Sequence, residues 1–319
     1  MKRIWSTLAL AAVAVPFVVA ACGPDPEPKT PTPAMSTSAP PMPSPSPVVS
    51  SAPVVVEPPP PPPVPLPVAE DMAASDDPKP LPTAKITAPT NDQALDAAKA
   101  KDFAVKLDVK NWTTAEGDQH VHLILDDHPY KPIYDHKKPV PISELLPAGA
   151  ELTPGFHVLT AFPSRKTHES VKGKGAASQV VFWVGKKGKT TFDAKKPHLI
   201  YSRPKGANLG PMGAELMVDF YLTNTMLDKG EKVRCTIRGT KLATAFVFEF
   251  TKWAPKVVKN LQAGDYEVQL DLLDKNGSSF EGPLVGTTRV GVKVDPAGKM
   301  DGMHAMPMPS AAPSASVKK

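Results

Sequence analysis

The stretch "HVHLILDD", His120–Asp127, decides the fold. Val121, Leu123 and Leu125 alternate with His120, His122 and Ile124, the period-2 pattern of a β-strand. The pattern returns in "KVRCTIRG", Lys232–Gly239. Laying the two over each other pairs Val121, Leu123 and Leu125 with Val233, Cys235 and Ile237, an apolar row that reads as core. The other row sets His120, His122 and Asp126 against Lys232, Arg234 and Arg238. The histidines are therefore expected on a polar, solvent-facing row, and Cys235 reads as a small core residue rather than a reactive thiol.

Working outward, "LTPGFHVLTAF" (152–162) matches "LQAGDYEVQLDL" (261–272), and "FAVKLDV", "VVFWVG", "LMVDFYL" and "TTRVGVKV" read as further strands. Gly, Pro and Asn-Gly turns separate them at short intervals, and only Asp92–Lys101 and Pro255–Leu261 leave room for a turn or two of helix. About 100 residues per copy with seven or so short strands is the expectation for an immunoglobulin-like sandwich. The fold class is thus all-β: two tandem immunoglobulin-like β-sandwiches, over residues 84–192 and 193–296, after a disordered Pro-rich stalk.

The ends of the chain bound where it works. "MKRIWSTLALAAVAVPFVVAAC" has a charged start, a short apolar run and small residues before Cys22. It resembles the bacterial lipoprotein signal, which implies a signal peptide over residues 1–21 and lipid on Cys22. The run is short for a spanning helix and contains Pro16. With Cys22 acylated, Cys235 stands alone and no internal disulfide can form. Residues 22–83 hold 19 prolines between Pro24 and Pro67, too little apolar matter to fold, and read as an extended stalk. Residues 297–319 read as a loose tail. The expected location is extracytoplasmic, lipid-anchored, in the outer membrane of a diderm bacterium.

The net charge of +5 is too mild to imply nucleic acid. Nine Lys/Arg between Arg165 and Lys196 against Glu169 and Asp193 make a locally basic region, whose partner would be an anionic envelope polymer or another envelope protein. Catalytic motifs are missing: no GxSxG, no HExxH, no phosphate loop and no CxxC.

Candidate binding residues cluster in the loops. "HVHLILDDHPY" offers His120, His122, Asp126 and Tyr130, "SRKTHES" offers Arg165, His168 and Glu169, and "YSRPKG" offers Arg203. Histidines at i and i+2 of a strand can share one Zn or Cu ion. The tail gathers Met300, Met303, His304, Met306 and Met308, a thioether-rich set suited to Cu(I). The same three segments look like those of secreted bacterial proteins with paired immunoglobulin-like domains. That resemblance implies the fold and an extracytoplasmic location and carries no activity. "HVH" followed by Asp126 is also similar to the cupin HxH motif, which would imply a metalloenzyme with Asp126 as a ligand. The main functional expectation is a non-catalytic, membrane-anchored binding or scaffolding module, with metal handling as the alternative.

Overall fold

A computed structural model of the chain describes residues 63–299. Cys22, the proline run before residue 63 and the tail methionines lie outside the described residues, so the lipid site and the Met/His group have no structural account. Among the described residues no helix is long and apolar enough to cross a membrane.

In chain order the strands are Val68–Asp71 (β1), Thr83–Ala88 (β2), Gln93–Leu95 (β3), Ala104–Lys110 (β4), His120–Leu125 (β5), Lys131–Ile133 (β6), Val140–Pro141 (β7), Gly155–Ser164 (β8) and Ser178–Val184 (β9). After them come His198–Arg203 (β10), Ala207–Leu209 (β11), Glu215–Thr223 (β12), Lys232–Gly239 (β13), Phe246–Phe250 (β14), Lys256–Lys259 (β15), Gly264–Leu273 (β16) and Gly286–Asp295 (β17). The fold is all-β, and the sheets show the repeat directly. The order β3-β9-β8-β5-β6 is answered by β11-β17-β16-β13-β14, and each of these five-stranded sheets opens on a parallel pair, β3 on β9 and β11 on β17. The companion sheets are β2-β4-β7 and β1-β15-β12-β10.

Each half has its own core. Val121, Leu123, Leu125, Leu159 and Phe182 meet in the first, and Val233, Cys235, Ile237, Leu270 and Phe220 in the second. Burying each such aliphatic side chain contributes about 1.5–3 kcal/mol. The paired apolar rows of β5 and β13 are therefore both internal. Burial lifts the Cys235 thiol far above its usual range, so it stays a protonated, inert thiol.

The two helical expectations are not met. Gln93–Leu95 and Lys256–Lys259 are strands, and only a short turn at Ala100–Asp102 is helical. In both places the backbone completes a sheet, β3 along β9 and β15 along β12, and ladder pairing outweighs weak local helix propensity. The stalk also ends earlier than residue 83. Val68–Asp71 adds an antiparallel edge strand to β15, where Glu70 faces Lys259 at 2.7 Å and Asp71 meets Lys256. The ladder satisfies the backbone groups that β15 would otherwise leave open, a gain that composition alone does not register.

The outer face of β5 and β8 is not wet. All six residues of β5 and the last eight of β8 are buried, as is most of β12. Ile124, Tyr130 and Phe162 pack against Ile200 and Tyr221 of the second half, with the Phe162 and Tyr221 rings stacked at 4.8 Å. An ion pair locks this seam. Lys172 Nζ donates to Asp219 Oδ1 at 2.7 Å, while the Ser170 amide and hydroxyl donate to Asp219 Oδ2 at 2.9 and 2.8 Å. On the far side Arg289 donates to the His128 carbonyl at 3.1 Å.

Candidate metal centre

Strand β5 supplies two imidazoles to one face because side chains at i and i+2 point the same way. The third comes from the turn after β8. In the ladder Ser164 lies opposite His120, and a bridge between Ser164 and Ser170 folds the intervening residues back over that position. Two backbone bonds close the turn, Arg165 N–H to the Glu169 carbonyl and His168 N–H to the Arg165 carbonyl, both at 2.9 Å. His168 takes a left-handed φ of 67°, a backbone that histidine adopts more readily than most residues with a Cβ.

The three rings converge. His120 Nε2 lies 3.0 Å from His122 Nε2 and 3.1 Å from His168 Nδ1, and one ring nitrogen from each of the three falls within 4.8 Å of the other two. Nitrogens sharing one ion at ~2.0–2.1 Å sit roughly 3.3 Å apart in a tetrahedral arrangement, and the two separations from His120 Nε2 lie within a few tenths of an ångström of that spacing.

The outward nitrogens are held. The Asp118 carbonyl accepts from His120 Nδ1 at 2.8 Å, which fixes that tautomer and leaves Nε2 with its lone pair facing the other rings. His122 Nδ1 lies 3.1 Å from Ser202 Oγ, a hydroxyl able to accept or donate. The single lone pair of His120 Nε2 can accept from His122 Nε2–H or from His168 Nδ1–H; an ion held at His122 Nε2 would require the His122 proton on Nδ1, where the Ser202 hydroxyl would accept it. Partners of this kind behind each ligand are the usual second layer of a histidine metal site.

Around the rings, Tyr130 stacks on His122 at 3.5 Å and its hydroxyl reaches His168 Nδ1 at 3.3 Å. Tyr134 lies 5.1 Å from His120. Arg203 donates to the Tyr130 hydroxyl at 3.4 Å, and Lys205 covers the Tyr130 ring at 3.8 Å while donating to its carbonyl.

Electrostatics keep the His120 and His122 imidazoles neutral. Burial brings His120 down to about 4; the Asp118 bond opposes this, and Lys205 and Arg203 add to it. His122 is lowered further, by burial first and then by its ring neighbours and the same two cations. Burial and Arg203 also pull Lys205 down to about 8. Neutral imidazole is the form that binds metals.

Of the residues singled out in the sequence, the structure brings together His120, His122, Tyr130, His168 and Arg203. The expectation that the histidines face solvent is wrong: both are fully buried, His120 among Tyr134, His168 and Asp118 of its own half, and His122 between Tyr130 and Ser202 of the second sandwich. Asp126 does not join them. It pairs with His157 at 2.8 Å and caps the Val158 amide, so the HxH-plus-acid grouping of cupins is not formed. Glu169 and Arg165 stand beside the site as supports. The Glu169 carboxylate accepts the Ser75 amide and hydroxyl at 2.9 and 2.5 Å, and Arg165 grips the Asp76 carbonyl at 2.6 Å. Within the basic stretch, Lys172 turns inward to Asp219 and Lys187 pairs with Asp92. Sequence reading missed Asp118, Ser202, Lys205's cover over Tyr130 and the Ser75 strap, because each is a long-range or backbone contact with no local signature.

No family model matches the chain, and no curated protein matches it. Among solved structures it is similar to the fibronectin(III)-like modules of CbhA from Clostridium thermocellum, at 13% identity and a TM-score of 0.23, over 67% of this chain and 95% of that one. It is similar also to the two tandem V-type regions of VCBP3, at 10% identity and a TM-score of 0.21, over 67% of this chain and 99% of that one. A third is the chicken interferon gamma receptor alpha chain, at 13% identity and a TM-score of 0.20, over 66% and 98%. At these scores the likenesses say nothing of function, and the description as β-sandwiches rests on the sheets themselves.

Proposed function

We propose that this chain is a lipid-anchored cell-envelope protein of a diderm bacterium whose folded part binds one metal ion at the seam of its two sandwiches. The observation that carries the metal reading is the meeting of His120 Nε2, His122 Nε2 and His168 Nδ1, with carbonyl and hydroxyl partners behind two of the rings. The ligands come from a strand and a strap-braced turn, a rigid setting of the kind metal sites need. Lipid on Cys22 and the proline stalk would hold this site away from the bilayer.

Two results test the reading. Full mature protein dialysed against Zn(II) or copper should retain about one equivalent, and the double variant His120→Gln/His122→Gln should retain none through this site. Equal uptake by both proteins, or none by either, dismisses the centre. For the anchor, Cys22→Ser should lose lipid labelling and leave the membrane fraction. A variant still membrane-bound in high salt refutes the lipid assignment, because a remaining electrostatic attachment would be screened.

A further inference from the structure

Resting on the metal reading above, we propose that the ion this centre selects is monovalent copper, Cu(I). The argument is one of charge and donor number. Among the described residues the His/Cys/Asp/Glu group that converges here contains three histidines and no carboxylate or thiolate, so the donor set brings no negative charge. The Asp118 carboxylate acts on His120 as the weaker charge, and both His120 and His122 feel the cations Arg203 and Lys205. Repulsion from these grows in proportion to the charge of the ion. The cost of taking the ion out of water grows with the square of its charge, roughly fourfold from a monovalent to a divalent ion of similar size. Both effects are strong here because His120 and His122 are fully buried and Arg203 nearly so.

Donor number points the same way. Zn(II) in a structural site takes four ligands, commonly with thiolates among them, and with three histidines it keeps a fourth position for water or an anion. The nearest oxygen, the Tyr130 hydroxyl, lies 3.3 Å from His168 Nδ1, but it already accepts from Arg203 and sits on a ring stacked face to face with His122, at 11° between planes, off the plane in which His122 directs its lone pair. Cu(I) has a filled d shell and no demand for a fourth ligand, and imidazole is among the donors copper accepts. Oxygen-seeking ions such as Mg(II) and Ca(II) find no suitable donor in the triad.

The test is an anaerobic titration of full mature protein with Cu(I) under a competing chromophoric chelator, in parallel with Zn(II). One equivalent of Cu(I) should resist the chelator, with an affinity at least roughly a hundredfold above that for Zn(II), and X-ray absorption should show nitrogen neighbours only. His168→Asn is the informative variant, because Asn tolerates the left-handed backbone that residue 168 requires and so preserves the turn. It should lower Cu(I) affinity by roughly a hundredfold or more, since even outer partners of a ligand cost 10–100-fold. Changing Met300, Met303, Met306 and Met308 to Leu in the full chain should leave this binding unchanged. Zn(II) bound in a His168-dependent way while Cu(I) is surrendered would overturn the Cu(I) assignment and leave the metal reading standing. Retention of neither ion would remove the metal reading itself. Copper with sulfur neighbours, lost on the Met→Leu changes, would place the ion in the tail and also overturn the inference.

Discussion

Asp219→Ala should destabilise the folded protein by about 3–5 kcal/mol, the range seen when one partner of a buried ion pair is removed. Asp219 is fully buried and collects the Ser170 amide, the Ser170 hydroxyl and the Lys172 ammonium. Deleting its carboxylate leaves Lys172, whose side chain is 12% exposed, as an uncompensated charge at the seam. At roughly 2–4 °C per kcal/mol for a protein of this size, the melting temperature should fall by about 10 °C. The double change Asp219→Leu/Lys172→Met should recover much of the loss, because replacing a whole buried pair by apolar groups is often neutral. Calorimetry on the three proteins decides the matter. A single variant within about 1 kcal/mol of the parent would mean that water reaches the seam and the pair is not buried in solution.

The second large effect is acid instability of the metal-free protein. His120 has its folded value lowered to about 4, and His122 is lowered as well. Their unfolded values lie near 6.5. Between these limits the unfolded chain binds more protons than the folded one, so stability is full above about pH 6.5 and is lost as pH falls towards about 4. For His120 alone the fall from near 6.5 to about 4 corresponds to ~3 kcal/mol, and His122 adds loss in the same direction. His157 works with the opposite sign. Burial opposes its charge, yet the Asp126 carboxylate outweighs that and raises it, so its contribution is present at low pH and fades as pH rises through the raised value. Denaturant midpoints measured with a chelator across pH 4 to 8 should therefore slope downward on the acid side, and His120→Asn should flatten part of that slope. A flat parental curve, or an unchanged slope in the variant, would show that protons reach the triad without unfolding it.

The strap beside the triad ties these observations together. Residues 68–77 run from an edge strand on β15 to hydrogen bonds with Glu169 and Arg165, the two residues that frame the His168 turn. One short segment at the end of the proline-rich region thus braces both the second sandwich and the turn that carries a ligand.

Much of this protein is legible in its sequence because the deciding interactions are local or periodic. The alternation in β5 and β13 places Val121, Leu123, Leu125, Val233, Cys235 and Ile237 inside, since a strand's side chains have a period of two whatever lies beyond it. The repeat of that pattern predicts two sandwiches without reference to any partner residue. The candidate list containing His120, His122, Tyr130, His168 and Arg203 also follows from local composition, as polar and aromatic residues crowding strand ends and loops. Burial of the second face does not. Periodicity says which residues share a face, but what covers that face depends on chain segments some 80 residues away, Ser202 and Arg203 among them. Tertiary packing turned a row that reads as wet into a closed, low-dielectric seam. It directed Asp126 to His157 rather than to the triad, and it carried Val68–Asp71 out of the stalk onto β15. Sequence by itself determined the two β-cores and the residues from which a site is assembled. Only the tertiary structure decided that three imidazoles meet at one point, because their meeting depends on a turn folded back over its neighbouring strand, and that the point lies against Ser202, Arg203 and Lys205, because the second sandwich docks beside it.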